Sequence, residues 1–130
     1  MKPDQISELQ HAILQVLWDR EEATVAQVQE DLRLGGRDLA LTTVATLLSR
    51  LARRDLVEHR SRGRLYVYRA AVSQRDVRRS MVQDLADRIF GGEVSAVVGH
   101  LLGSDDLDAD ELARVKELVL QRERELEDRP

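Results

Sequence analysis

The stretch Leu41-Thr42-Thr43-Val44-Ala45-Thr46-Leu47-Leu48-Ser49-Arg50-Leu51-Ala52-Arg53-Arg54, followed by Leu56-Val57-Glu58-His59-Arg60-Ser61-Arg62-Gly63-Arg64-Leu65-Tyr66-Val67-Tyr68-Arg69, decides the fold. In its first half Val44, Leu47, Leu48 and Leu51 recur at i, i+3, i+4 and i+7, the stripe of a helix lying on a core. The spacing predicts a helix over about residues 40–55, with Asp38 as its cap. The opposite face carries Thr42, Thr46, Ser49 and Arg53, flanked by Thr43 and Arg50, and holds no carboxylate. A merely solvated helix usually mixes both signs of charge, so the omission is informative. The second half is two strand-like runs around Gly63, which predicts a β-hairpin with Arg60, Arg62 and Arg64 crowding its tip.

Upstream, Ser7 with Gln10 and Thr24 with Gln27 are capping-box signatures. Each opens an apolar stripe: Leu9, Ile13, Val16 and Leu17 in the first helix, then Val25, Val28 and Leu32 in the second, which stops at Gly35-Gly36. Three helices followed by an arginine-tipped hairpin is the order of a winged helix-turn-helix, expected over residues 1–72. The rest, 73–130, is expected to be helical. Ser73 with Asp76 opens a helix to about Phe90, with Val77, Met81, Leu85 and Ile89 four apart, and Gly91-Gly92 breaks it. A short apolar helix, Val94–Leu102, and a final one capped by Asp108 complete the chain; in the last, Leu112, Val115, Val119 and Leu126 keep near-heptad spacing interrupted by Arg122. Apolar faces on an extended helical tail imply a second chain. The expected inter-subunit residues are Leu85, Ile89, Phe90, Val94, Val97, Val98, Leu101, Leu102, Leu112, Val115 and Val119.

Charge follows the same division. The formal net charge is -4, but residues 37–79 hold eleven arginines against Asp38, Asp55, Glu58 and Asp76, a local +7. Phosphate binding depends on local potential, so the acidic total does not argue against nucleic acid. On this basis Thr42, Thr43, Thr46 and Ser49 are expected to meet base edges or phosphates, and Arg50, Arg53, Arg54, Arg60, Arg62 and Arg64 to hold phosphates. Tyr66 and Tyr68 are expected to pack the hairpin onto the domain rather than to stack on bases.

Other chemistries find little support. Cysteine is absent, so there is neither a disulfide framework nor a thiolate metal site. His11, His59 and His100 are not spaced as metal ligands. No nucleophile constellation or glycine-rich phosphate loop is present, and neither catalysis nor a cofactor is expected. The start, Met1-Lys2-Pro3-Asp4-Gln5, turns charged before any apolar leader segment forms. No apolar run approaches the ~20 residues of a membrane span, so a cytoplasmic protein without membrane insertion is expected.

Ile6-Ser7, Val16-Leu17-Trp18, Thr43-Val44-Ala45-Thr46-Leu47-Leu48-Ser49-Arg50-Leu51, Tyr66-Val67-Tyr68 and Phe90-Gly91-Gly92 resemble the BlaI/MecI penicillinase-repressor family, over nearly the whole chain. The resemblance implies a homodimer that binds palindromic operators through its winged helix and represses transcription, with β-lactam resistance among the processes controlled. It also implies relief by a membrane-bound sensor protease that cuts the dimerisation region. The bond cut in well-studied members, between an asparagine and a phenylalanine, matches Gly99-His100 here. A protease specific for that bond is therefore expected to spare this chain. The copper-responsive branch carries a cysteine cluster that this chain lacks. Well-studied members have lysine and arginine where Thr42 and Ala45 stand, and an aromatic residue at Leu39, so their operator sequence does not transfer. Two other readings stand beside this one: a MarR-like regulator holding a small molecule between wing and dimer helices, and a winged-helix adaptor that binds protein instead of DNA.

Overall fold

A computed structural model describes residues 5–129; the reading of the first four residues lies outside them. The order is α1 (Glu8–Arg20), α2 (Val25–Leu34), α3 (Leu41–Arg53), β1 (Val57–Arg62), β2 (Leu65–Ala70), α4 (Gln74–Phe90), α5 (Val94–Leu102) and α6 (Ala109–Glu127). This is the mainly helical winged-helix order expected from sequence. Among the described residues no helix is long and apolar enough to cross a membrane.

The predicted caps at α1 and α2 form in full. The Gln10 amide donates to Ser7 Oγ at 3.1 Å while the Gln10 side chain accepts from the Ser7 amide, and Thr24 with Gln27 repeats the arrangement. α3 differs. Its N-cap is Ala40, no side chain caps it, and Asp38 lies too early. The reason is tertiary: Gln29 Nε2 donates to the Leu39 carbonyl at 2.9 Å and Leu39 packs on the core, which keeps the chain extended through Ala40.

At its other end α3 stops in a Schellman turn. Asp55 takes a left-handed backbone, the Leu56 amide donates to the Leu51 carbonyl at 3.0 Å, and the Asp55 amide donates to that of Ala52. Leu51 and Leu56, both fully buried, make the apolar contact that accompanies this turn. The chain is thereby aimed from α3 into β1.

β1 and β2 pair antiparallel from Val57 opposite Ala70 to Arg62 opposite Leu65. The two-residue loop is Gly63-Arg64. Gly63 takes a positive φ while Arg64 stays outside the left-handed region, the type II′ pattern that matches strand twist. On the other edge of β2, Ala23 and Tyr68 exchange both backbone hydrogen bonds, at 2.9 and 2.8 Å.

The core collects Ile13, Leu14 and Leu17 from α1, Val28 and Leu32 from α2, Val44, Leu48 and Leu51 from α3, and then Leu56, Val57, Tyr68 and Val77. Trp18 packs at its margin and its Nε1 donates to the Val72 carbonyl at 3.0 Å. Arg20 makes a two-bond ion pair with Asp31, tying the end of α1 to α2.

One compact unit runs up to Leu85 and a second begins at Ala86. The first unit therefore continues beyond residue 72, because Val77 is fully buried in its core and Met81 packs against it. In the second, Gly91 and Gly92 both adopt positive φ and end α4, and Asp108 Oδ1 accepts from the Glu111 amide to start α6. α5 and α6 contain no buried residue.

These contacts set an ordering of stabilities. Leu48 is fully buried, and Leu48→Ala should cost about 2–5 kcal/mol in urea unfolding. Thr24 caps α2, and Thr24→Ala should cost about 1 kcal/mol. Asp38 caps nothing, and Asp38→Ala should change stability by no more than roughly 0.5 kcal/mol. A loss at Asp38 equal to that at Thr24 would contradict the account of how α3 begins.

Candidate nucleic-acid interface

The amphipathic spacing of α3 divides it cleanly. Val44, Leu48 and Leu51 are buried, while Thr42, Thr43, Thr46, Ser49, Arg50 and Arg53 are all exposed. Successive turns therefore present hydroxyls first and guanidinium groups last, on one surface. The Thr46 hydroxyl donates to the Thr42 carbonyl at 2.9 Å, and the residue remains exposed with its hydroxyl oxygen still able to accept. Arg54 stands apart from this surface. It is half-buried, and its Nη1 donates to Gln10 Oε1 at 3.4 Å, so it links the end of α3 back to the start of α1.

Strand pairing sorts the hairpin side chains onto two faces, because directly opposed residues share a side. One face holds Glu58, Arg60 and Arg62 with Leu65, Val67 and Arg69; the other holds Val57, His59 and Ser61 with Tyr66, Tyr68 and Ala70.

On the first face the arginines are partnered. Arg60 Nη2 lies 2.9 Å from Glu22 Oε2, Arg62 Nη2 lies 2.8 Å from Glu22 Oε1, and Arg69 pairs with Glu58. The hydrogen bond from Arg60, followed by that from Arg62, holds the Glu22 carboxyl below the usual carboxylate range against the opposing effect of desolvation. Arg64 sits in the turn, exposed. Among the described residues no carboxylate pairs with Arg50, Arg53 or Arg64.

On the second face Tyr68 is 6% exposed and belongs to the core, as expected. Tyr66 is 53% exposed and does not pack the hairpin down, which corrects the expectation for that residue. The two tyrosines share a face, but only Tyr68 lies near enough to the helices to be covered. The His59 ring stands between them, 4.7 Å from Tyr66 and 5.5 Å from Tyr68 by ring centroids. An open cleft lies between the end of α3 and this face, lined by Ser49, Ala52, Arg53, His59, Tyr66 and Tyr68. It offers a guanidinium, an imidazole and hydroxyls without a carboxylate, the donor set that suits a phosphodiester. The sequence did not single out His59, Tyr66 or Glu22 as interface residues. Only the two-residue alternation, which puts Arg60 with Arg62 and His59 with Tyr66, pointed towards them.

The expected dimerisation residues stand differently. Leu85, Ile89, Val94, Val98, Leu101, Leu102, Leu112 and Val119 are exposed, and Phe90, Val97 and Val115 are half-buried. Within the second unit Val98, Leu101, Leu102, Leu107 and Val115 line an apolar groove between α5 and α6. Gly99 and His100 are exposed on α5, with the His100 ring 6.0 Å from that of Phe90. Among the described residues no group of three or more histidine and acidic side chains could hold a metal ion.

Known proteins resemble the chain in sequence and in fold. The Transcriptional regulator BlaI of Mycobacterium tuberculosis is 40% identical over 114 residues, covering 83% of this chain and 81% of that protein. The solution structure of the DNA binding domain of the repressor BlaI covers 58% of this chain and 93% of its own, at 26% identity and TM-score 0.50. A MarR family protein from Bacillus stearothermophilus covers 95% of this chain and 77% of its own, at 17% identity and TM-score 0.52, a likeness of fold. Residues 6–121 match the family described as Penicillinase repressor. The chain belongs to the penicillinase repressor family of DNA-binding transcriptional repressors.

Proposed function

We propose that the chain is a sequence-specific transcriptional repressor that acts in the cytoplasm as a homodimer on a palindromic operator. The observation that carries this reading is the carboxylate-free surface of α3, continuous with the cleft beside the hairpin, where Arg50 and Arg53 have no acidic partner among the described residues. α3 enters the major groove, and Thr42, Thr43, Thr46 and Ser49 meet bases or the adjoining backbone. Arg50, Arg53 and Arg64 hold phosphates. The helix lacks cations at positions 42 and 45, so its readout rests on hydroxyl and methyl contacts. The relatives support the reading by name: one is a transcriptional regulator, and the likened domain binds DNA.

A second copy covers the apolar residues of α4, α5 and α6. Leu101 is 59% exposed and Ile89 64% exposed. Large apolar side chains scattered singly over a surface would not recur along three successive helices. Two winged helices held together bind two half-sites as one linked event, which raises affinity without any new contact. Repression is relieved by cutting α5 within residues 96–102, which divides the apolar surface. Gly99 favours opening there, since glycine costs a helix roughly 1 kcal/mol relative to alanine. The cutting enzyme would be a membrane-bound sensor protease that accepts a polar ring at His100. Control of β-lactam defence genes fits the family's description.

DNA binding is tested with a duplex selected from a random pool and with unselected duplex. Thr46→Ala should lose roughly 1–3 kcal/mol on the selected duplex and little on the other. Arg64→Ala should weaken both alike and reduce the slope of log K against log salt by about 2 per dimer, at about 0.9 for each phosphate contact. Equal loss from Thr46→Ala on both duplexes would reassign it to backbone positioning.

Dimerisation and its relief are tested together. Leu101→Asp should sediment as a folded monomer with weakened operator binding. Proteolysis by the cognate enzyme should give fragments whose masses place the cut within 96–102. Release from DNA by a small molecule, with the chain intact by mass, would favour ligand control instead.

A further inference from the structure

We infer that Glu22 competes with DNA phosphates for Arg60 and Arg62, and so limits how much of the wing's positive charge reaches a duplex. The inference rests on the DNA-binding reading above and assigns a role to a residue outside the expected interface. Glu22 lies in the connection between α1 and α2, and the neighbouring Ala23 is paired to Tyr68 through both backbone hydrogen bonds. That pairing fixes the Glu22 carboxylate beside β1. Alternation along β1 puts Arg60 and Arg62 on one side; Arg60 Nη2 donates to Glu22 Oε2 at 2.9 Å and to Oε1 at 3.2 Å, and Arg62 Nη2 donates to Oε1 at 2.8 Å.

Anchoring the hairpin does not require these ion pairs. The backbone bonds at Ala23 and the burial of Val57, Val67 and Tyr68 already dock it. Both arginine side chains remain more than half exposed. Pairs this open contribute little to stability and exchange readily. What they change is availability. A phosphate attracts a guanidinium in the same bidentate manner as a carboxylate. An arginine already satisfied must give up one partner to gain the other, and Glu22 would also face the incoming phosphates. Arg64, in the Gly63-Arg64 turn, carries no such restraint among the described residues. Among the described residues the wing thus has one cation at its tip without a carboxylate partner and two held in reserve. This favours discrimination, because indiscriminate phosphate attraction strengthens binding to all DNA equally.

The test is Glu22→Gln in the full-length protein, compared with wild type by fluorescence anisotropy on unselected duplex over a series of salt concentrations. Glu22→Gln should bind on the order of tenfold more tightly, the value of two exposed ion pairs no longer broken on binding. Its salt slope should steepen by up to about 2 per protomer. In the Arg60→Ala/Arg62→Ala background the same change should leave affinity within about twofold, since only the screened field of one charge then remains. Glu22→Asp, which keeps the charge but shortens its reach, should show part of the gain. An equal gain in both backgrounds would overturn the inference and reduce Glu22 to a distant charge. Absence of any gain would overturn it too. Wild-type protein that binds no duplex even at low salt would instead overturn the DNA-binding reading, and this inference with it.

Discussion

The paired backbone hydrogen bonds between Ala23 and Tyr68 fix where the wing sits, and the rest of the interface depends on that placement. A lone two-stranded hairpin is marginal in water. Here it gains a third partner on the β2 edge and buries Val57 and Tyr68 in the helical core. At the other end of the same path, the left-handed Asp55 turns the chain directly from α3 into β1. α3 and the hairpin are therefore held at both junctions, and the cleft of Ser49, Arg53, His59 and Tyr66 has fixed walls. The phosphate contacts proposed for this cleft would then need no ordering on binding.

Electrostatics then follows from position more than from composition. The chain is acidic overall, yet among the described residues no carboxylate lies on the outward face of α3 or lines the cleft. Where acids do approach the wing, they come as specific partners: Glu22 for Arg60 and Arg62, Glu58 for Arg69. A count of arginines at the hairpin tip treats them as equivalent. Their surroundings differ: among the described residues Arg60 and Arg62 pair with Glu22, while no carboxylate pairs with Arg64.

Legibility in the sequence tracks the range of each interaction. Caps at Ser7, Thr24, Ser73 and Asp108 depend on residues three apart and are readable, as is the core stripe of α3. The start of α3 is not, because Gln29, ten residues away, holds the Leu39 carbonyl and delays the helix. Tyr66 and Tyr68 look identical in an alternating run, and only the distance of each from the helices separates a core residue from an exposed one. Glu22 is illegible for the same reason. Its partners lie 38 and 40 residues later, and nothing local in the Glu21-Glu22 pair marks which one will meet them. The division of α4 shows the reverse case. Four-residue spacing from Val77 to Ile89 is visible, but only packing shows that it begins in the core and ends in solvent.

The central claim is that duplex DNA is held by α3 and the hairpin turn together. Hydrogen exchange of the full chain, followed by mass spectrometry with and without a selected duplex, tests it most directly. The account predicts added protection concentrated in residues 41–53 and in the hairpin around 60–66, with α6 unchanged. Protection confined to α5 and α6, or none in α3 at saturating duplex, would contradict it.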